Sequence, residues 1–138
     1  SSGKTVTTTT GGPPAEQAAI ENDLQDIFGT KRGQEMLKEI EARGKPIEIR
    51  INNKGRLSTP SAPSDHVNID PSAHPNVLTR KGPVPASTRR ILAHELGHAV
   101  FGTRDAGPGR MSNVLQYENP IALELGEPAR IRYSGGGA

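Results

Sequence analysis

The chain of 138 residues contains no cysteine and no tryptophan, and only two tyrosines and two phenylalanines. Without cysteine the fold can have no disulfide, and any bound metal must be held by nitrogen and oxygen ligands. Hydrophobic residues make up 32% of the sequence, so a chain of this length can fill only a small core. We therefore expect one compact domain.

Neither sign of charge is in large excess. The sequence has 17 basic and 15 acidic residues, a net charge of +2 and no block of lysine and arginine, which argues against a nucleic-acid partner. No apolar run approaches the roughly 20 residues of a membrane span, and no signal-peptide pattern opens the chain. The composition thus predicts a soluble protein without a membrane partner.

The first residues differ in composition from the rest. Residues 1–14 are rich in Ser, Thr and Gly and end in two prolines, which predicts a flexible lead-in or linker. Residues 15–138 are expected to form the functional domain. Apolar residues at helical spacing predict helices over residues 15–28 and 34–43.

A change to period two predicts a strand in the middle of the chain. Ile47, Ile49 and Ile51 alternate with polar residues, and the following "NNKG" predicts a tight turn and the start of a hairpin. Its partner is either residues 56–57 or the later "HVNID". Residues 71–85 are predicted to be a loop because they are rich in Pro, Gly and Ser. A last group of helices makes the fold class α+β.

The stretch "ILAHELGHAVFG" lies in a predicted helix over residues 86–101 that Ser87 or Thr88 caps. His94 and His98 lie about 40° apart on the helix, so both imidazoles can reach one metal ion. Glu95 projects beside the pair, which suits a carboxylate that binds a water rather than the metal. The helix should pack by an opposite apolar face formed by Leu92, Leu96, Ala99 and Val100.

A catalytic zinc site needs a third protein ligand. The metzincin pattern would place its glycine and last ligand at Phe101 and Arg104, and the aspzincin pattern would place its aspartate at Ala106, so neither fits. The gluzincin pattern has a glutamate about twenty residues after the second histidine, and Glu118 fits that spacing. Asp105 is the next candidate.

Glu118 also lies within an apolar helical stripe. An unpaired carboxylate there is costly and should face a cation or a bridging hydrogen bond. Pro120 should kink or interrupt this helix, because it has no backbone N–H to donate. A neighbouring carbonyl or carboxylate should fix each ligand imidazole through its second nitrogen, and Asp70 and Asp105 are the candidate carboxylates. The stripe consists of Val114, Ile121, Ala122 and Leu125.

"ILAHELGHA" together with "YENPIALELGEPARIRY" resembles the NleD-type metallopeptidase effectors secreted by pathogenic bacteria. It is also similar to the metallopeptidase toxin domains at the C-terminal ends of Rhs and other polymorphic toxins. The resemblance implies Zn²⁺ as cofactor, Glu95 as general base, and Arg130 with Tyr133 as transition-state stabilisers, as in the similar clostridial neurotoxin light chains. The implied zinc ligands are His94, His98 and Glu118.

The resemblance further implies a small zincin-like α+β domain with an active-site helix, a short sheet or hairpin and a second ligand-bearing helix. We expect a monomeric endopeptidase that a bacterium delivers into a target cell, where it cleaves a protein substrate in the cytoplasm. For a toxin, a cognate immunity protein is a further expected partner. Two other hypotheses stay open: a non-catalytic zinc-containing protein-binding module, and a hydrolase of peptidoglycan peptides.

Overall fold

The computed structural model describes residues 6–53, 64–102 and 114–131. The described chain contains both helices and strands, and four strands follow one another between two groups of helices, which agrees with the α+β prediction. Among the described residues, no helix is both long and apolar enough to cross a membrane. The elements are β1 (Thr7–Thr10), α1 (Pro14–Phe28), α2 (Lys31–Arg43), β2 (Ile47–Ile51), β3 (His66–Ile69), β4 (Asn76–Thr79), β5 (Gly82–Pro85), α3 (Thr88–Phe101), a π-helical turn (Val114–Glu118) and α4 (Asn119–Glu124).

A three-stranded parallel sheet forms one layer of the domain, with β2 between β1 and β3. The three isoleucines of β2 are buried at alternate positions, which confirms the period-two strand. The predicted hairpin is wrong for β2. Parallel strands occupy both of its edges, and its partner from the later segment is β3. The alternative partner, residues 56–57, lies outside the described residues.

The expectation of a flexible lead-in is wrong for Thr7–Thr10, which form β1. Four β-branched threonines suit a strand, and pairing with β2 satisfies backbone groups that an open sheet edge would leave unpaired. Gly11 and Gly12 then turn the chain into α1 with φ of 77° and 69°, a conformation that glycine adopts without strain. The glycines that suggested flexibility therefore form a turn.

The helix α2 begins three residues before the predicted start because Thr30 caps it. The Thr30 hydroxyl accepts a hydrogen bond from the Gly33 amide at 3.0 Å and donates one to the Ile27 carbonyl at 2.6 Å. A side chain at Gly33 would overlap that carbonyl, so the first turn of α2 packs directly on the end of α1. The predicted bounds of α1 and the end of α2 at Arg43 are confirmed.

The predicted loop over residues 71–85 contains an antiparallel hairpin, β4–β5. Pro83 and Pro85 made a strand unexpected, because proline cannot donate to a ladder. The Ala86 amide donates to the Pro75 carbonyl at 2.8 Å, which places both prolines at the alternate positions whose backbone faces away from β4. The two prolines therefore remove no hydrogen bond between β4 and β5.

The central helix α3 is buried all round from Arg90 to Val100, so the expectation that it packs by one face is wrong. It contacts α1, α2, β3 and the π-helical turn. The predicted position of this helix, between the sheet and the segment that carries Glu118, is confirmed. Ser87 is its N-cap, since the hydroxyl accepts from the Arg90 amide at 3.0 Å.

The end of α3 is held by Arg43, the last residue of α2. Its Nη1 donates to the Ser64 carbonyl and its Nη2 to the Ala99 carbonyl, each at 2.8 Å, with a further bond to Val100 O. The Ala99 and Val100 carbonyls lie at the C-terminal, negative end of the α3 dipole, where a cation is favoured. Arg43 therefore fixes the helix turn that follows His98.

Replacing Arg43 with methionine should lower the free energy of unfolding by about 2 kcal/mol, because hydrogen bonds from a charged group to carbonyls are lost. Urea unfolding followed by circular dichroism measures the change in the free energy of unfolding. Arg50→Met is the control, since the Arg50 side chain is 49% exposed and pairs with Glu48 on the surface of the same strand. Equal losses in the two variants would show that Arg43 does not hold the end of α3.

Candidate metal centre

The two histidines of α3 converge through one nitrogen each. Their side chains are buried, and Nε2 of His94 lies 3.2 Å from Nε2 of His98. Two imidazole nitrogens bound to one tetrahedral zinc ion, each at 2.0–2.1 Å, would be about 3.3 Å apart. The pair therefore fits a shared metal ion, as the spacing of the two residues predicts.

Glu118 contacts His94 on the opposite side of the imidazole ring. Its Oε1 lies 2.8 Å from Nδ1 of His94, and the side chain is 1% exposed. A carboxylate at Nδ1 fixes the proton on that nitrogen and leaves the Nε2 lone pair for a metal. Glu118 thus contacts Nδ1 of His94 and not the Nε2 atom that faces His98.

Two arginines complete the surroundings of the Glu118 carboxylate. Nη1 of Arg90 lies 2.8 Å from Oε2, and Nη1 of Arg130 lies 3.3 Å from Oε1. Burial raises the pKa of Glu118, but the hydrogen bond and charge of His94, followed by Arg130 and Arg90, outweigh burial and hold this pKa below its usual value. The buried carboxylate is therefore ionised and fully compensated.

Arg90 is a site residue that the sequence reasoning missed. Its side chain is 2% exposed, and besides Glu118 it donates to the Pro128 carbonyl in the turn after α4. The available signal was position: Arg90 precedes His94 by four residues, so both lie on one face of α3. Sequence spacing gives the face but does not identify the carboxylate opposite it.

The change from π-helix to α-helix occurs next to Pro120, where the sequence predicts an interruption. Pro120 lies in the first turn of α4, where a missing N–H costs nothing. The apolar stripe around Glu118 is confirmed, since its members pack in or against the core. Tyr117 stacks on Phe101 with ring centroids 4.7 Å apart and belongs to that packing.

The backbone of Arg130 is held by the side chain of Asn119. The Asn119 Oδ1 accepts from the Arg130 amide at 2.8 Å, and its Nδ2 donates to the Arg130 carbonyl at 2.9 Å. The next amide, of Ile131, donates to the Leu78 carbonyl of β4 at 2.9 Å. These bonds place the Arg130 guanidinium beside Glu118. Tyr133, the second member of the predicted pair, lies outside the described residues.

A cavity of about 160 Å³ adjoins the site, and His94, Glu95, Glu118 and Arg130 are among its lining residues. Glu95 is 4% exposed and lies on α3 directly after His94. Within residues 6–53, 64–102 and 114–131, no three His, Asp or Glu side chains form a cluster that would hold a metal. The structure therefore brings together two imidazoles whose Nε2 atoms face each other, a carboxylate at Nδ1 of one of them, and a second carboxylate at the cavity.

The other predicted or excluded candidates lie in different surroundings. Asp70 Oδ1 accepts from the amide and hydroxyl of Ser72, at 2.9 and 2.7 Å, so the carboxylate seen on His94 is Glu118 instead. His66 contacts Asp65, and Nδ1 of His74 lies 2.9 Å from the Ala86 carbonyl. Asp105 lies outside the described residues.

Comparison with known proteins points to one class. Residues 6–109 match the model of the Peptidase_M91 family, whose description is "Effector protein". The crystal structure of the Salmonella zinc metalloprotease effector GtgA is similar, with a TM-score of 0.69 and 18% identity over 87% of this chain and 70% of that one. At this identity the match shows a shared fold. No curated protein sequence matches the chain significantly.

Replacing Asn119 with alanine should lower the free energy of unfolding by about 2 kcal/mol, because two buried hydrogen bonds to the Arg130 backbone are lost. Hydrogen exchange at the Ile131 amide should accelerate as the segment loosens. The control is Asn22→Ala on α1, which is exposed. If hydrogen exchange at the Ile131 amide is unchanged in a folded Asn119→Ala variant, Asn119 does not hold the Arg130 backbone in place.

Proposed function

Because the chain belongs to the Peptidase_M91 family of effector proteins, we propose that it is a zinc-dependent endopeptidase that acts as a secreted bacterial effector or toxin domain. It hydrolyses a peptide bond in a protein of the target cell. The observation that carries this proposal is the 3.2 Å separation of the two Nε2 atoms beside a buried glutamate and a cavity.

His94 and His98 hold the metal through Nε2. The contact of Nδ1 of His94 with Glu118 supports this role, because a proton on Nδ1 of a neutral imidazole leaves the lone pair of Nε2 for a metal. Bound zinc supplies polarisation of the scissile carbonyl and acidifies water. The absence of cysteine limits the ligands to nitrogen and oxygen, which suits a hydrolytic site of this kind.

Glu95 is the general base. It follows His94 directly in α3 and lines the cavity that a substrate would enter. A carboxylate in that position takes a proton from the attacking water and passes it to the leaving amine. Its burial keeps the proton transfer away from bulk solvent.

Arg130 stabilises the charge that develops on the substrate carbonyl. Its guanidinium lines the cavity and lies 3.3 Å from Glu118, while Asn119 fixes its backbone. Preorganised donors of this kind lower the barrier of acyl transfer without reorganisation cost during the reaction. Tyr133 is proposed as the second donor on the sequence pattern alone.

Glu118 has two candidate roles. The sequence predicts a third zinc ligand, which requires the carboxylate to lie near Nε2 of both histidines. Its contacts with Nδ1 of His94 and with two arginines support the other role, that of the carboxylate that orients His94. Residues that orient metal ligands are nearly as important for metal affinity as the ligands themselves.

The effector family supports a proposal about the biological setting. We propose that a bacterium delivers the chain into a target cell and that it cleaves a protein in the cytoplasm of that cell. We propose a monomeric enzyme and, where the domain belongs to a toxin, a cognate immunity protein that protects the producer.

Replacing Glu95 with glutamine should leave zinc content near stoichiometric and lower turnover by at least about 100-fold, because the base is lost and the imidazoles are not. Elemental analysis gives the zinc content, and sequencing of new peptide N-termini in a treated cell lysate gives the cleavage. Glu39→Gln, an exposed residue of α2, is the control. If the chain is instead a non-catalytic zinc module, neither the unaltered protein nor the Glu95→Gln variant will produce new peptide N-termini.

Replacing Glu118 with glutamine should weaken zinc binding about 10- to 100-fold, since the amide oxygen can still accept from Nδ1 of His94. His98→Ala removes a proposed zinc ligand altogether and should therefore weaken zinc binding much more than Glu118→Gln does. Competitive titration with a zinc chelator measures both, with Glu124→Gln on the exposed face of α4 as the control. A loss as large as that of His98→Ala would make Glu118 the third ligand.

A further inference from the structure

The cavity beside the histidine pair lies toward the start of α3. Its lining includes His94 and Glu95, and also Ile91, which precedes His94 by almost one helical turn. His98, one turn further along α3, does not line it. Because Glu95 and His94 form part of its wall, a side chain that fills this cavity must belong to a residue next to the scissile bond. This inference therefore rests on the proposed peptidase function.

One part of the cavity wall is apolar, beside the buried charged residues Arg90, Glu95 and Glu118. Val77 of β4, Ala86 and Ile91 line it, and these three are 3%, 2% and 7% exposed. Pro75 and Asn76 line it as well and are exposed, so they lie at its solvent-facing end. A side chain that enters past them meets aliphatic surface, which favours an apolar group.

The charges around the cavity are already compensated. Among the described residues, the acidic and basic side chains that line it are two arginines and two glutamates, whose formal charges cancel. Arg90 and Glu118 also form a buried pair at 2.8 Å. A charged substrate side chain would lose its hydration here without a vacant partner in this pair, which is unfavourable.

The volume of about 160 Å³ sets the size of the occupant. An apolar cavity of about 150 Å³ is large enough to hold benzene. We infer that this cavity is a specificity subsite that takes an uncharged apolar side chain of leucine to phenylalanine size, next to the peptide bond that is cut. Val77, Ala86 and Ile91 determine the preference.

A series of small succinyl hydroxamates that differ in one side chain tests the subsite without knowledge of the natural substrate. The side chains are methyl, isobutyl, benzyl and carboxymethyl, and calorimetry measures their binding to the zinc-loaded full chain. Isobutyl or benzyl should bind at least about tenfold more tightly than methyl, and carboxymethyl should bind most weakly. Equal affinities across the series, or no binding to the zinc-loaded protein, would overturn the inference.

Two variants change the size of the cavity in opposite directions. Val77→Ala enlarges it and should shift the preference toward benzyl, whereas Ala86→Val narrows it and should shift the preference toward methyl. Opposite shifts cannot arise from a general loss of folding. The matched control is Val84→Ala, which removes the same atoms from the residue paired with Val77 in β5 but does not line the cavity.

The experiment separates the failure of this inference from the failure of the proposed function. If the chain takes up no zinc, the peptidase proposal fails and the subsite assignment fails with it. If zinc is bound and the hydroxamates bind, but the order of affinities is unchanged by Val77→Ala and Ala86→Val, only the subsite assignment fails. Peptide cleavage in a lysate gives a second measure, since apolar residues should be enriched at one position beside the cut.

Discussion

The carboxylate of Glu118 is the interaction on which the site depends. It is almost wholly buried and joins α3, through Arg90 and His94, to the chain that follows the π-helical turn, through Arg130. Removal of the Glu118 carboxylate would take the 2.8 Å partner from the buried Arg90 guanidinium, which is destabilising. Stability and site geometry therefore depend on the same group, because the contact that compensates the charge also orients His94.

The rest of the fold holds α3 in place so that this contact can form. The parallel sheet and the helices α1 and α2 bury α3 on every side, Ser87 caps its start and Arg43 holds its end. A rigid helix suits a metal site, since imidazoles can share an ion only when their nitrogens are fixed to within a few tenths of an ångström. The hairpin β4–β5 contributes Val77 to the cavity beside α3, and α3 itself contributes Ile91.

The errors of the sequence analysis have common physical causes. Threonines and glycines resemble a linker, yet β1 gains its backbone partners from β2, which lies far along the chain. Prolines argued against β5, but alternate positions of a two-stranded ribbon need no donor. The one-faced packing of α3 failed because its few charged residues find partners inside the protein, as Arg90 does.

The sequence by itself determined the α+β class, the limits of α1, the end of α3, the pairing of His94 with His98 on one helix, and the placement of Glu118 near them. These features depend on local periodicity, capping and spacing, which a sequence carries directly. Only the tertiary structure decided which ring nitrogen Glu118 contacts, that Arg90 compensates it, that Asn119 fixes Arg130, and that a cavity with a partly apolar wall adjoins Glu95. Those features require groups from distant segments to meet in three dimensions, and their contacts follow from how whole elements pack.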